Sequence, residues 1–160
     1  SSNMRLGSGI APLLEMFEHK VRVGLGVDGS SSNDSGHMLN EARQAMLLQR
    51  VKHGASAISA REVLRTATRG GAKVLRQENI GQITPGFSAD MAIYDMQSVD
   101  LAGTHTDPLA GLVFCGPVKT KHTIINGKQI HTIHEVPIGH PYLAFNASQE
   151  SFLYYCNIIR

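Results

Sequence analysis

The sequence is short of the features that announce the commonest partners. Its 160 residues carry 15 Lys and Arg against 13 Asp and Glu, a formal net charge of +2, too small an excess to attract nucleic acid or an anionic membrane surface. Every apolar run is broken by a charge or a glycine within a few residues, which excludes a membrane-spanning helix. The opening SSNMRLGSGI lacks the basic and apolar regions of a secretory leader, so the cytoplasm is the expected compartment. There are two cysteines, Cys115 and Cys156, without metal-type spacing, and they read as reduced structural residues rather than a disulfide or redox pair.

Several catalytic signatures are missing as well. The loop GSSSND at residues 29–34 has neither the Lys of a P-loop nor the glycine spacing of a dinucleotide fingerprint. The G-x-S-x-G elbow that would expose Ser30 as a nucleophile is absent. No internal repeat or low-complexity tract is evident.

What is present is a chain with 42% apolar residues, enough to bury a core. In VRVGLGVDGSSSND the apolar residues Val21, Val23, Leu25 and Val27 alternate with Arg22, Gly24, Gly26 and Asp28, the period-2 pattern of a strand. Asp28 then stands at the C-terminal tip of a strand that precedes a helix, where α/β barrels and doubly wound sheets place their active groups. The same residue could simply cap the turn by accepting N–H bonds from Gly29 to Ser31. Gly24 and Gly26, on the same face as the acid, leave room for something other than protein. His37 lies in the loop after Asp28 and could share its mouth, or be an ordinary first-turn helix residue. His131 and His134 fall on opposite faces of a strand and are not a metal pair. His19, His53, His105, His122 and His140 form no constellation.

Asp34 or Ser35 can cap a helix over 38–53, with Leu39, Ala42, Met46 and Ala45 on its buried stripe. Ser59 and Glu62 have capping-box spacing and start a second helix, which Gly70 and Gly71 interrupt. After residue 78 the chain reads as β: a Pro85-Gly86 turn, a short strand from Met91 to Tyr94, and a hairpin KHTIINGKQIHTI turning on Asn126-Gly127.

Taken in order, SSNMRLGSGIAP, VGLGVDGSSSNDSGHMLNEARQAMLLQR, LRTATRGGAKVL, IGQITPGFSADMAIYD, DPLAGLVFCGP and IINGK resemble the C-terminal part of the amidohydrolase superfamily. The likeness is to its branch of aminohydrolases acting on nitrogen heterocycles, such as 8-oxoguanine deaminases and triazine (chlorohydrolase-like) hydrolases, and it runs from Ser1 to about Ile130. It implies an α/β plus β fold: the C-terminal portion of a metal-dependent (β/α)8 barrel, with SSN at the end of strand 7, residues 21–27 as strand 8 and the following helices, joined to part of a small β-sandwich. The implied domains are 1–78 for the barrel piece, 79–135 for the β-sandwich segment and 136–160 for an atypical tail rich in aromatics.

The resemblance further implies that Asp28 binds a divalent metal, zinc by expectation, and serves as base toward metal-bound water. It makes Asn3, Ser30 and His37 candidates for contact with a purine-like or triazine-like substrate. The H-x-H pair and the further histidines that complete the family's metal site have no counterpart in this sequence, so weak or no metal binding is expected of the chain alone. The reading is thus a fragment of, or short protein derived from, a heterocycle deaminase. The alternatives are an inactive interaction module, or a barrel completed in trans by self-association.

Overall fold

The structure, a computed structural model, describes residues 1–132 except Asp34 and Pro117, with nothing described for the side chains of His131 and Thr132. The expected 136–160 tail, Cys156, His134, His140 and the Asp34 cap lie outside the described residues. Short helices α1 (Ser2–Leu6) and α2 (Leu13–Glu18) open the chain, and α3 (Met38–His53) is the longest of the described elements. Then come α4 (Ala60–Arg65), a π-helical turn over Thr66–Gly70, and α5 (Gly71–Leu75). Strand β1 (Met91–Ile93), a 3-10 turn over Val99–Leu101, α6 (Pro108–Phe114), and strands β2 (His122–Ile125) and β3 (Lys128–Thr132) complete the order.

The apolar stripe of α3 builds the core. Leu39, Ala42 and Met46 are buried, Ala45 is half-buried, and they pack with Ile58, Ala60, Val63 and Leu64 of α4 and its approach. Leu112 and Val113 of α6 join the same cluster. Helix α6 therefore belongs to this core even though the sequence pattern beyond residue 78 reads as β; its seven-residue PLAGLVF stretch is too short to separate helix from strand by periodicity. The Asp107 side chain caps it by accepting the Ala110 N–H. Arginines of α3 fasten it: Arg43 Nε donates to the Phe114 carbonyl at 3.3 Å, and the Arg50 guanidinium lies 5.2 Å from the centre of the Phe114 ring, a cation–π distance.

The cap expected from Ser35 is not what starts α3. His37 is the N-cap residue and contributes no side-chain cap bond. The capping box at Ser59 and Glu62 is present in both directions, with the Ser59 N–H donating to Glu62 at 2.8 Å and the Glu62 N–H donating to Ser59 Oγ at 3.2 Å. The glycine pair does not interrupt the helix that follows. Helical backbone runs on through Gly70 and Gly71, both right-handed, with a π turn where Thr66 and Thr68 hydroxyls donate back to the Glu62 and Leu64 carbonyls. Such hydroxyl bonds loosen the regular ladder.

The two glycines serve approach rather than termination. A Cβ on Gly70 would stand 2.3 Å from the Val23 carbonyl oxygen, and one on Gly24 would stand 2.9 Å from Gly71 Cα. The segment 21–29 thus lies directly on the helix backbone. It pairs with no described strand, which corrects the strand expected over Val21–Val27, because a strand is a ladder and needs a neighbour. Its alternation still works as packing, since Val23 and Leu25 rest on the core cluster. Residues 1–3 likewise do not end a strand, because Ser2 and Asn3 lie within helix α1.

The β region forms a three-stranded antiparallel sheet in the order β1-β2-β3. Asn126 at φ +49° and Gly127 at φ +75° make the expected type I′ turn. The Asp90 carboxylate pins it by accepting the Asn126 N–H at 2.7 Å. The Pro85-Gly86 turn is closed by the Phe87 N–H to the Thr84 carbonyl at 3.0 Å. Cys115 is an exposed free thiol.

Two outcomes follow from this packing. Gly70→Ala should destabilise the fold by about 1–3 kcal/mol, as overpacking against fixed backbone does, whereas Gly26→Ala, whose Cβ meets nothing within 4 Å, should leave the thermal midpoint nearly unchanged. Ser59→Ala should cost about 1 kcal/mol. The Ser59 hydroxyl holds the Glu62 carboxyl below the usual carboxylate range, so this contribution is present above the unfolded-state pKa and is lost as pH falls through the folded-state value. The gap between the thermal midpoints of wild type and Ser59→Ala should therefore narrow in acid, leaving the part due to the Glu62 N–H bond to Ser59 Oγ.

Candidate active site

Asp28 sits where segment 21–29 turns toward the serine-rich loop. Its backbone is left-handed, φ +65°, a conformation that residues with a Cβ adopt rarely and Asp more readily than most. The carboxylate is exposed. Oδ1 accepts the Gly29 N–H at 2.8 Å and Oδ2 accepts the Ser32 hydroxyl at 3.3 Å. The Gly29 N–H, followed by the Ser2 hydroxyl, holds the Asp28 carboxyl below the usual carboxylate range. The turn-capping role and an available, ionised oxygen therefore coexist in one residue.

Asp28 opens on a groove of about 410 Å³, floored by α3 residues Gln44, Ala45, Leu48 and Gln49 and walled by Val23, Leu25, Ile10 and Met16. Ser1, Ser2 and Asn3 form the side facing Asp28, so Asn3 shares the groove with the acid. Gly26 leaves open space there, whereas Gly24 is occupied on its Cβ side by the α5 backbone. The room expected beside both glycines is found at one of them.

The other sequence candidates stand elsewhere. Ser30 is an exposed turn residue and does not line the groove. His37 is half-buried at the start of α3, its Nδ1 is buried without a hydrogen-bond partner among the described residues, and desolvation lowers its pKa. It too is outside the groove lining.

Sequence reasoning passed over the polar residues that support the acid. Asn33 and Glu41 are buried, and Asn33 Nδ2 donates to Glu41 Oε1 at 2.8 Å. Buried Ser2 meets the Ser32 hydroxyl at 2.9 Å, one bond from Asp28. The signal for Glu41 was its phase: it lies one turn before Ala45 and two before Gln49, along the edge of the apolar stripe. No corresponding signal marks Ser2.

Among the described residues, no group of three or more His, Cys, Asp and Glu is placed to hold a metal ion. No described helix is long and apolar enough to cross a membrane.

Comparison with known proteins places this arrangement. Residues 1–130 match the amidohydrolase family. The 8-oxoguanine deaminase of Pseudomonas aeruginosa is 43% identical over 127 residues, covering 79% of this chain and 28% of that protein. The zinc-complexed atrazine chlorohydrolase TrzN of Arthrobacter aurescens superposes with a TM-score of 0.76 at 36% identity, covering 82% of this chain and 30% of that one. A zinc-bound adenosine deaminase of Xanthomonas campestris gives the same TM-score at 32% identity, with the same coverage of 82% and 30%. The chain thus spans less than a third of the length of the relatives it matches. A family match across 130 of 160 residues, carried by a fold held in common with heterocycle-processing hydrolases, shows that this chain belongs to the amidohydrolase family.

Proposed function

We propose that this chain contributes the acid–base carboxylate of a hydrolase that removes an amino group from a purine-like or triazine-like ring. The observation that carries the reading is the presentation of Asp28: exposed, its carboxyl held below the usual carboxylate range by the Gly29 N–H, and lining a groove of mixed apolar and amide side chains. In this reading residues 1–78 correspond to the C-terminal part of the barrel and 79–135 to part of the adjoining β-sandwich.

The chemistry asked of Asp28 is proton relay. As a water oxygen bonds to the ring carbon that bears the amino group, the carboxylate accepts the water proton. It then gives that proton to the departing nitrogen as the carbon–nitrogen bond breaks, leaving ammonia and an oxo-substituted ring. Asn3, on the same groove, contacts the ring in this reading; Ser30 and His37, outside the groove lining, have no such support.

Zinc accompanies the chlorohydrolase and the adenosine deaminase among the relatives. The residues described here do not fit a resident zinc by themselves, because a catalytic site takes three protein ligands and the groove offers Asp28 with no such group around it. That donor count also supports a second reading, in which the chain acts as an interaction module or joins further copies to complete a site; its mass in solution separates the two.

The test is ammonia release from purine and triazine rings by the native polypeptide that contains this chain. Asp28→Asn keeps the shape but cannot take a proton, so kcat should fall by roughly 10²–10⁴-fold with the folded fraction unchanged. Because the Asp28 pKa is lowered, the base is already ionised at neutral pH, and the acidic limb of the wild-type rate should lie below the range of an ordinary carboxylate. Wild-type turnover in Asp28→Asn would leave Asp28 a turn residue only.

A further inference from the structure

A chain of hydrogen bonds leads from the core to the acid. Asn33 is 5% exposed, and its Nδ2 donates to two acceptors: the Val27 carbonyl at 2.7 Å and Glu41 Oε1 at 2.8 Å. Its Oδ1 accepts the Ser35 N–H at 3.3 Å, so both ends of the amide are engaged. The Val27 carbonyl belongs to the peptide plane that enters Asp28. Fixing that oxygen fixes the plane about which the Asp28 φ is set.

Glu41 is 7% exposed in the first turn of α3, next to Ala42, which is 0% exposed, and one turn from the core. A buried carboxylate is tolerated only when its oxygens are bonded, and Asn33 supplies one of those bonds. The left-handed backbone at Asp28 is disfavoured for a residue with a Cβ, and persists when its surroundings over-determine it. Gly29 and Ser32 bond the Asp28 carboxylate, not the peptide behind it. Asn33 bridges the Val27 carbonyl to Glu41 of α3.

We propose that Asn33 and Glu41 are positioning residues: they tie the Val27–Asp28 peptide to α3 and so hold the Asp28 carboxylate at the groove mouth in its left-handed setting. The meaning of this for catalysis rests on the reading of Asp28 above; the geometry does not.

The experiment is amide exchange and coupling measurement by NMR on the full chain. In the wild type, the Asn33 side-chain amide protons should exchange at least about tenfold more slowly than those of exposed Asn3, the factor that a net hydrogen bond supplies. In Asn33→Ala, the Gly29 and Ser32 amides should exchange about tenfold faster while those of Met46 and Val63 stay within about twofold, and the Asp28 HN–Hα coupling should leave its left-handed value. Glu41→Gln retains an oxygen acceptor for Asn33 and should stay near wild type; Glu41→Ala should follow Asn33→Ala.

Unchanged Gly29 and Ser32 exchange in Asn33→Ala, or a uniform acceleration that includes the core, would overturn the proposal. If Asn33→Ala does not fold, the wild-type side-chain exchange and the Glu41 pair decide: fast exchange at Asn33, or equal behaviour of Glu41→Gln and Glu41→Ala, is the contrary result. These readouts need no turnover. Their failure removes the network and leaves the role of Asp28 standing, whereas wild-type kinetics in Asp28→Asn removes that role and leaves the network.

Discussion

The backbone-to-backbone approach of segment 21–29 to the helix at Gly70-Gly71 is the constraint on which the rest depends. With no ladder to hold it, the segment is positioned by contact: the Val23 carbonyl occupies the place of a Gly70 Cβ, and Gly24 faces Gly71. Val23 and Leu25 then reach the core cluster, and the chain emerges at Asp28 beside α3. Glycine at both surfaces of a contact is what lets two backbones meet without side chains between them. The π turn at Thr66–Gly70 lies within this contact, so the irregular helix and the irregular segment form one feature.

The consequence at the site is an acid on a short, fixed stalk. Its carboxylate bonds to Gly29 and Ser32 of its own loop and is held by the Ser2 hydroxyl of α1, while the peptide behind it is tied through buried Asn33 to buried Glu41 of α3. Exposure and fixation are thus divided between side chain and backbone. That division suits the proton-relay role proposed for Asp28.

Elements with strong local signatures were legible. The helix over 38–53 showed its apolar stripe, Ser59 and Glu62 their capping box, and Asn126-Gly127 its hairpin, because each is set by residues close in sequence. Asp28 was legible as a position at the end of an alternating run. The errors were nonlocal. Alternation at 21–27 reads as a strand, but a strand needs a neighbour that periodicity cannot supply. Gly70-Gly71 reads as a break, but its purpose lies in Val23, far away in the chain. Asn33 was absorbed into a polar loop, since nothing in GSSSND distinguishes an asparagine facing solvent from one facing a buried glutamate.

Membership of the amidohydrolase family and the local donor set together give the central claim, which rests on the role proposed for Asp28: the chain brings one carboxylate to the groove, and no set of metal donors stands around it among the described residues. Zinc retention measures this directly. After equilibration with zinc and removal of the excess, the purified 160-residue chain should keep well under one equivalent of metal, because roughly three protein ligands are needed for a useful catalytic zinc site, and Asp28→Asn should not change that figure. A full equivalent held by the wild type and lost in Asp28→Asn would contradict the account.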